Sequence, residues 1–211
     1  MNQSIQLAVD YLQGSGQKPN TQEVVDALLA EERQSRKAKH RYQYDDLVGT
    51  WRLGFVSGTQ TTESKSNGLP VKKPGKGRFI PSFTKIEITY KKQEETSSIE
   101  RSNLVVRPNV RSNSVENKVV IGPLRICLLG PTLFKPALNV LAFDFTSLAV
   151  SVGSWVPYKG EIRGGQKKNN EFREQSLKEQ AFFSFFLVKD GYIAARGKGG
   201  GLALWTRISE L

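Results

Sequence analysis

The sequence predicts a mainly β protein, an antiparallel β-barrel or strongly curved sheet with an N-terminal helical element. Three observations predict it. From Leu47 onward, apolar and aromatic runs recur at short spacing with no helical pattern between most of them, which disfavours a parallel α/β sheet. Asp190-Gly191 separates two such runs as a hairpin turn, because glycine takes a positive φ without steric penalty. Before Leu47 the apolar spacing is helical instead.

Taken in order, residues 3–13 and 20–42 read as helices. Asn20 followed by Glu23 has capping-box spacing, with Pro19 just outside. Val24, Val25, Leu28 and Leu29 form one apolar stripe. Beyond Glu32 the helix turns basic through Arg33, Arg36, Lys37, Lys39 and Arg41, so only its first half is expected to pack. Residues 1–45 therefore form a helical element, and 46–211 the barrel domain. Leu47–Val56 is the first strand. Residues 57–82, rich in Gly, Pro and Lys with little periodicity, read as a long mobile basic loop. Phe83–Lys92 alternates, with Ile86, Ile88 and Tyr90 on one side. Residues 93–117 are polar and turn-rich, with a short strand at Leu104–Arg107. Further strands fit Lys118–Leu129, Asn139–Val152, Ala181–Lys189, Tyr192–Arg196 and Leu202–Ile208.

Composition excludes many functions. The chain has 211 residues, enough for one sizeable core. Cys127 and His40 are the only cysteine and histidine, which rules out disulfide scaffolds, Cys-rich zinc modules and multi-histidine metal sites. No motif asks for a cofactor. The N-terminus lacks the basic and apolar regions of a secretory signal, and it is no Arg- and Ser-rich transit peptide. The most apolar stretch, Val119–Val152, is interrupted by Arg125, Pro131, Lys135, Pro136 and Asp144. It never reaches the roughly 18 unbroken apolar residues of a spanning helix. A soluble or peripheral protein is expected, in a reducing compartment.

The net charge is +11, and residues 33–92 hold most of the excess. This points to a local basic surface. Lys72, Lys73, Lys76 and Arg78 are its centre, either as a solvated loop or as a contact for anionic lipid headgroups. Nucleic acid ranks below both, because no recognition motif accompanies the charge.

Four groups of residues bear on chemistry. Phe182, Phe183, Phe185 and Phe186 put aromatics on both faces of one strand, so both faces must be covered: by the N-terminal helix, by a ligand, or by lipid. Asp144, between Phe143 and Phe145, requires a partner, for which Arg196 or Arg207 is the expected cation. Gly197–Gly201 lacks phosphate-loop order and reads as a tight connection, and Gly164-Gly165 reads as a polar surface loop. Gly49-x-Trp51 opens the first strand and Arg207 closes the last. In a closed barrel these strands are neighbours, so Arg207 is expected over the Trp51 indole.

Leu47-Val48-Gly49-Thr50-Trp51-Arg52-Leu53 after a helical N-terminus, with the closing run from Ala195 to Arg207, resembles the plastid-lipid-associated protein/fibrillin family. The resemblance spans about residues 20–208 and is most specific at the ends. It implies a lipocalin-like barrel and a non-enzymatic role, binding or organising lipids, carotenoids or prenylquinones at thylakoids and lipid droplets. Gly49, Trp51 and Arg207 then close the barrel. Without a transit peptide, the expected setting is a cyanobacterial cytoplasm or thylakoid surface, or a plastid for a processed form. The 57–82 segment departs from the family.

On this reading Phe55, Phe143, Phe145, Phe183 and Phe185 are the candidate ligand-binding residues, and Lys72, Lys73, Lys76 and Arg78 dock to membrane. The expected partners are an apolar small molecule or lipid and an anionic membrane surface, then a protein. Two rivals remain. One is a protein similar to the lipocalin-type bilin lyases, with Asp144 as the carboxylate in the cavity. The other is a basic protein- or nucleic-acid-binding module with a filled barrel.

Overall fold

Asparagine caps start both N-terminal helices. Asn2 accepts from the Ser4 amide at 3.1 Å ahead of α1 (Gln3–Leu12). Asn20 accepts from Gln22 and Glu23 ahead of α2 (Thr21–Ala38). The computed structural model describes residues 2–63, 70–92 and 113–208, and the side chains at all of these but 62, 63 and 70–72. α2 stops short of the expected Tyr42, because Lys39 turns left-handed at φ 52°. That turn sends Tyr42 back to the barrel, where its hydroxyl donates to the Phe186 carbonyl at 3.0 Å.

A 3₁₀ turn (Tyr44–Leu47) leads into the strands β1 (Gly49–Glu63), β2 (Pro70–Phe79), β3 (Thr84–Lys91), β4 (Ser114–Ile121) and β5 (Leu124–Lys135). There follow β6 (Val140–Phe143), β7 (Ser147–Val152), β8 (Trp155–Glu161), the short helix α3 (Gly165–Glu171), β9 (Ala181–Lys189), β10 (Tyr192–Gly197) and β11 (Leu202–Arg207). Hydrogen bonds run around β4-β3-β1-β11-β10-β9-β6-β5, and β5 pairs back to β4. The result is a closed, antiparallel, eight-stranded barrel.

The structure redraws several expected elements. Residues 57–63 and 70–79 are not loop: they complete β1 and form β2, paired from Phe55↔Phe79 to Glu63↔Pro70. Among the described residues β2 pairs with β1 alone, so its prolines need no second ladder and its lysines mark a charged sheet edge. The expected strand Lys118–Leu129 is a hairpin folded at Gly122-Pro123, with Gly122 at φ 55°. Asn139–Val152 is one path broken at 144–146, where β6 passes into β7 along the same edge of β5. Strand β8 and helix α3 lie in a segment whose periodicity assigned neither. The expected strand Leu104–Arg107 lies outside the described residues.

Two apolar cores share the barrel wall. Inside are Trp51, Ile88, Tyr90, Val115, Leu141, Phe143, among others; outside, α1 and α2 lay Ile5, Val9, Val24, Val25 and Leu28 against Phe55, Phe186 and Leu204. β-Bulges reverse the alternation at two places. The β1–β11 register slips between Leu53 and Phe55, and the β9–β10 register slips at Phe186. Leu53 and Val56 consequently face in, while Phe55 between them faces out. Along β9, Phe183, Phe185 and Val188 face in, and Phe186 and Leu187 lie under the helices. Glu32 of α2, buried, is gripped by the Arg196 guanidinium, which also donates to the Gly200 carbonyl at 2.6 Å.

The barrel closes where β1 meets β11. Arg207, opposite Trp51 in register, lays its guanidinium 4.1 Å from the indole centroid. It also donates to the Asp190 carbonyl at 2.6 Å and the Val48 carbonyl at 3.2 Å. The Trp51 indole N–H donates to the Leu47 carbonyl at 2.8 Å, tying the 3₁₀ turn across the barrel end. Gly49 sits at φ 125°, and a Cβ there would meet Arg207 Nη1 at 2.6 Å.

On the outer wall, Arg52, Glu87 and Lys118 stand side by side on β1, β3 and β4, with ion pairs of 3.2 and 3.1 Å. Burial opposes ionisation of Glu87, but Lys118 and then Arg52 outweigh it and hold the carboxyl below the ordinary glutamate value.

Arg207→Ala is expected to cost about 2–4 kcal/mol in urea unfolding, with Arg207→Lys recovering less than half, because a point charge replaces a stacked fork. A loss of only a few tenths would show that closure does not depend on Arg207. Glu87→Gln should cost about 0.5–1 kcal/mol at neutral pH, a modest figure because both cations are solvated. Since the folded pKa is depressed, the Glu87 contribution holds above the ordinary glutamate range and fades as pH falls through the folded value. The two proteins should therefore converge in acid; a gap independent of pH would refute the ion-pair account.

Candidate functional site

The closed end of the barrel is packed solid. Trp51, Leu47 and Val115 are each fully buried there, beneath the 3₁₀ turn. The strands run from this end to a mouth at the opposite end, where β1 continues toward β2 and where the β4–β5, β7–β8 and β10–β11 turns lie.

Near the mouth the inward side chains are aromatic. Phe183 stacks on Phe143 at 5.1 Å between centroids and meets Trp205 edge-on at 5.2 Å. Phe145 lies 5.5 Å from Phe143, and Phe185 packs against both Phe183 and Trp205. Such offset and edge-on pairs align ring edges with ring faces. Phe145, Phe183, Leu53 and Val56 are only partly buried although they point inward. The barrel interior therefore presents accessible apolar surface at this end.

Four of the five expected lining residues, Phe143, Phe145, Phe183 and Phe185, come together in this cluster. Phe55 does not. The bulge at Gly54 turns it outward, where it packs edge-on against Phe79 at 5.0 Å, beneath the helices. Trp205, Leu53 and Val56 were missed as lining residues. Alternation along 202–207 would have found Trp205, but nothing local reveals the register slip that turns Val56 inward.

Tyr90 was missed as well. Its ring meets Phe185 at 6.4 Å, it is 1% exposed, and its hydroxyl has no hydrogen-bond partner among the described residues. Burial pushes its pKa well up. Neighbouring Tyr44 differs: its hydroxyl donates to the Lys91 carbonyl at 2.9 Å and accepts from Thr132, while burial raises its pKa to about 12. Both phenols stay neutral at physiological pH.

Asp144 takes neither expected cation. Arg196 holds Glu32 and Arg207 holds Trp51, while the Asp144 carboxylate meets Arg163 at 3.3 Å and Lys168 at 3.4 Å. Phe143 and Phe145 face in, so Asp144 between them faces out, and no carboxylate enters the barrel from this position. Cys127 is half-buried on β5; burial first, then Glu116, pushes its thiol up. His40 lies beside a hollow of about 220 Å³ between the end of α2 and β9.

Lys73, Lys76 and Arg78 are exposed on β2, the strand that rises at the mouth; the Lys72 side chain lies outside the described residues. Arg78 pairs with inward-facing Val56, so it shares the inner face at the rim. Gly197–Gly201 is the β10–β11 turn, closed by Gly197 N–H donating to Gly201 O at 2.9 Å. Gly164 and Gly165, both at positive φ, start α3 rather than a loop. Compared with family models and with curated proteins, the chain matches none.

Tyr90→Phe removes a buried hydroxyl that lacks a partner, so stability in urea should stay within about 1 kcal/mol of wild type or rise. A loss above about 2 kcal/mol would mean that the hydroxyl is bonded in the folded protein.

Proposed function

We propose that this chain is a non-enzymatic binding protein that takes an apolar molecule or lipid into the mouth of its barrel. The observation that carries this reading is the set of inward-facing but accessible apolar side chains, Phe145, Phe183, Leu53 and Val56, above a sealed floor. Pockets for apolar ligands are lined in this way. The placement of Asp144 outside supports it over an enzyme that needs a carboxylate in the cavity.

The basic strand supports docking to an anionic membrane. Lys73, Lys76 and Arg78 stand exposed at the same end as the mouth, so attraction to anionic headgroups would bring the opening toward lipid. A photosynthetic membrane as the setting, and carotenoids or prenylquinones as ligands, rest on the sequence resemblance alone. Among the described residues, no helix is long and apolar enough to cross a membrane.

The test is uptake. Purified protein is offered a carotenoid, a prenylquinone and a fatty acid, then re-isolated, extracted with organic solvent and analysed by mass spectrometry. One of them retained stoichiometrically is expected, with Phe145→Ala/Phe183→Ala binding it at least about tenfold more weakly. No uptake of any of the three would overturn the binding reading. Charge reversal at Lys72, Lys73, Lys76 and Arg78 should weaken binding to anionic vesicles and flatten its dependence on salt. Unchanged binding would remove the basic strand from the account.

A further inference from the structure

Beyond the mouth, strands β3, β4, β5, β7 and β8 continue as a sheet whose inner face is not closed by the barrel. Residue pairing defines its rungs. Ile86, Val119, Ile126, Val150 and Tyr158 lie side by side, and toward the tip come Thr84, Ile121, Leu124, Val152 and Trp155. Both rungs share the side of Ile88 and Tyr90, so they extend the inner face of the barrel. None of these ten side chains is fully buried. At the very edge Phe83 is 71% exposed and Trp155 67%, with Ile121 and Val152 also exposed.

An apolar edge of this kind, left in water, marks a contact surface, and its charge selects the partner. The segments that carry this edge and its neighbouring rungs, residues 70–86, 119–135 and 145–160, contain no Asp or Glu. Lys73, Lys76, Arg78, Lys85 and Arg125 are exposed there, and none has an ion pair among the described residues. Aromatic tips flanked by cations, on segments without acids, match the interfacial zone of an anionic bilayer. There rings sit at headgroup level and cations meet lipid phosphates.

We propose that the Phe83, Ile121, Val152 and Trp155 edge inserts into the headgroup zone of an anionic bilayer, so that the apolar inner face of the sheet joins lipid to the barrel mouth. The proposal rests on the membrane-facing reading above and adds to it the part of the protein that enters the membrane. Basic residues of β2 supply long-range attraction, and the edge supplies apolar burial.

Trp155 reports on this directly, because Trp51 and Trp205 are buried at 0% and 4% exposure. The experiment uses the full chain with phosphatidylcholine vesicles, with and without phosphatidylglycerol, and with lipids brominated on the acyl chains. With anionic vesicles, tryptophan emission should shift to the blue, and brominated lipid should quench it. Trp155→Phe should abolish both changes while binding persists. Phe83→Ala/Trp155→Ala should weaken partitioning about tenfold or more, with an unchanged thermal midpoint because both side chains are exposed. Binding without a shift or quenching would overturn insertion and leave peripheral docking in place. No binding at all would overturn both. Self-association lost in the double variant, with no vesicle binding, would identify a second copy as the occupant and overturn the proposal. Ligand uptake in solution is measured separately, so failure of insertion is distinguishable from failure of the binding reading.

Discussion

Everything in this barrel depends on joining its first strand to its last. An open sheet leaves two rows of unpaired backbone groups; here the β1–β11 ladder removes them, and Arg207 holds that seam. Its guanidinium covers the Trp51 indole and reaches the carbonyls of Val48 and Asp190, so one side chain binds the entering segment, the first strand and the β9–β10 turn. A lysine has the charge but not the plane or the fork. Gly49 leaves room for the contact, because a Cβ there would press on Arg207 Nη1.

With one end sealed, the two sides of the wall take different tasks. The outer side of β1, β9, β10 and β11 is covered by α1 and α2, and Glu32–Arg196 pins the helix to the sheet. That charge pair is tolerated in a buried place because Arg36 and the Gly200 carbonyl satisfy the remaining groups. The inner side grades from fully buried residues at the floor to partly buried aromatics at the mouth. Solidity at one end gives rigidity; accessible apolar surface at the other makes binding possible.

The two excursions from the ring share a direction. β2 carries its cations upward beside β1, and the β3–β4–β5–β7–β8 sheet carries its apolar inner face past the rim. Positive charge and apolar surface are thus combined at one end of the molecule, while on the outer wall Glu87 is balanced by Arg52 and Lys118. This polarity along the barrel axis gives the molecule a membrane-facing end on the reading proposed above.

Much of this was legible in the amino-acid sequence, because its signals are local. Asn20 marked a helix start, Asp190-Gly191 a hairpin, and alternation in Phe83–Lys92 a strand with Ile88 and Tyr90 on one side. Gly49, Trp51 and Arg207 pointed to closure. What misled were features that depend on partners. Residues 57–63 and 70–79 lack periodicity because, among the described residues, β2 is an edge strand, ordered by backbone pairing to β1 rather than by a buried face. Asp144 found Arg163 and Lys168, which no spacing rule links to it. Phe55 faces out and Val56 in because a bulge changed the phase, and the same device on β9 leaves Leu187 on the outer side beside Phe186. The sequence by itself determined the strand-rich barrel, its helical start and its closing residues, since these follow from propensity and two-residue alternation. Only the tertiary structure decided which aromatic faces the interior, because a one-residue slip in register reverses every side chain beyond it.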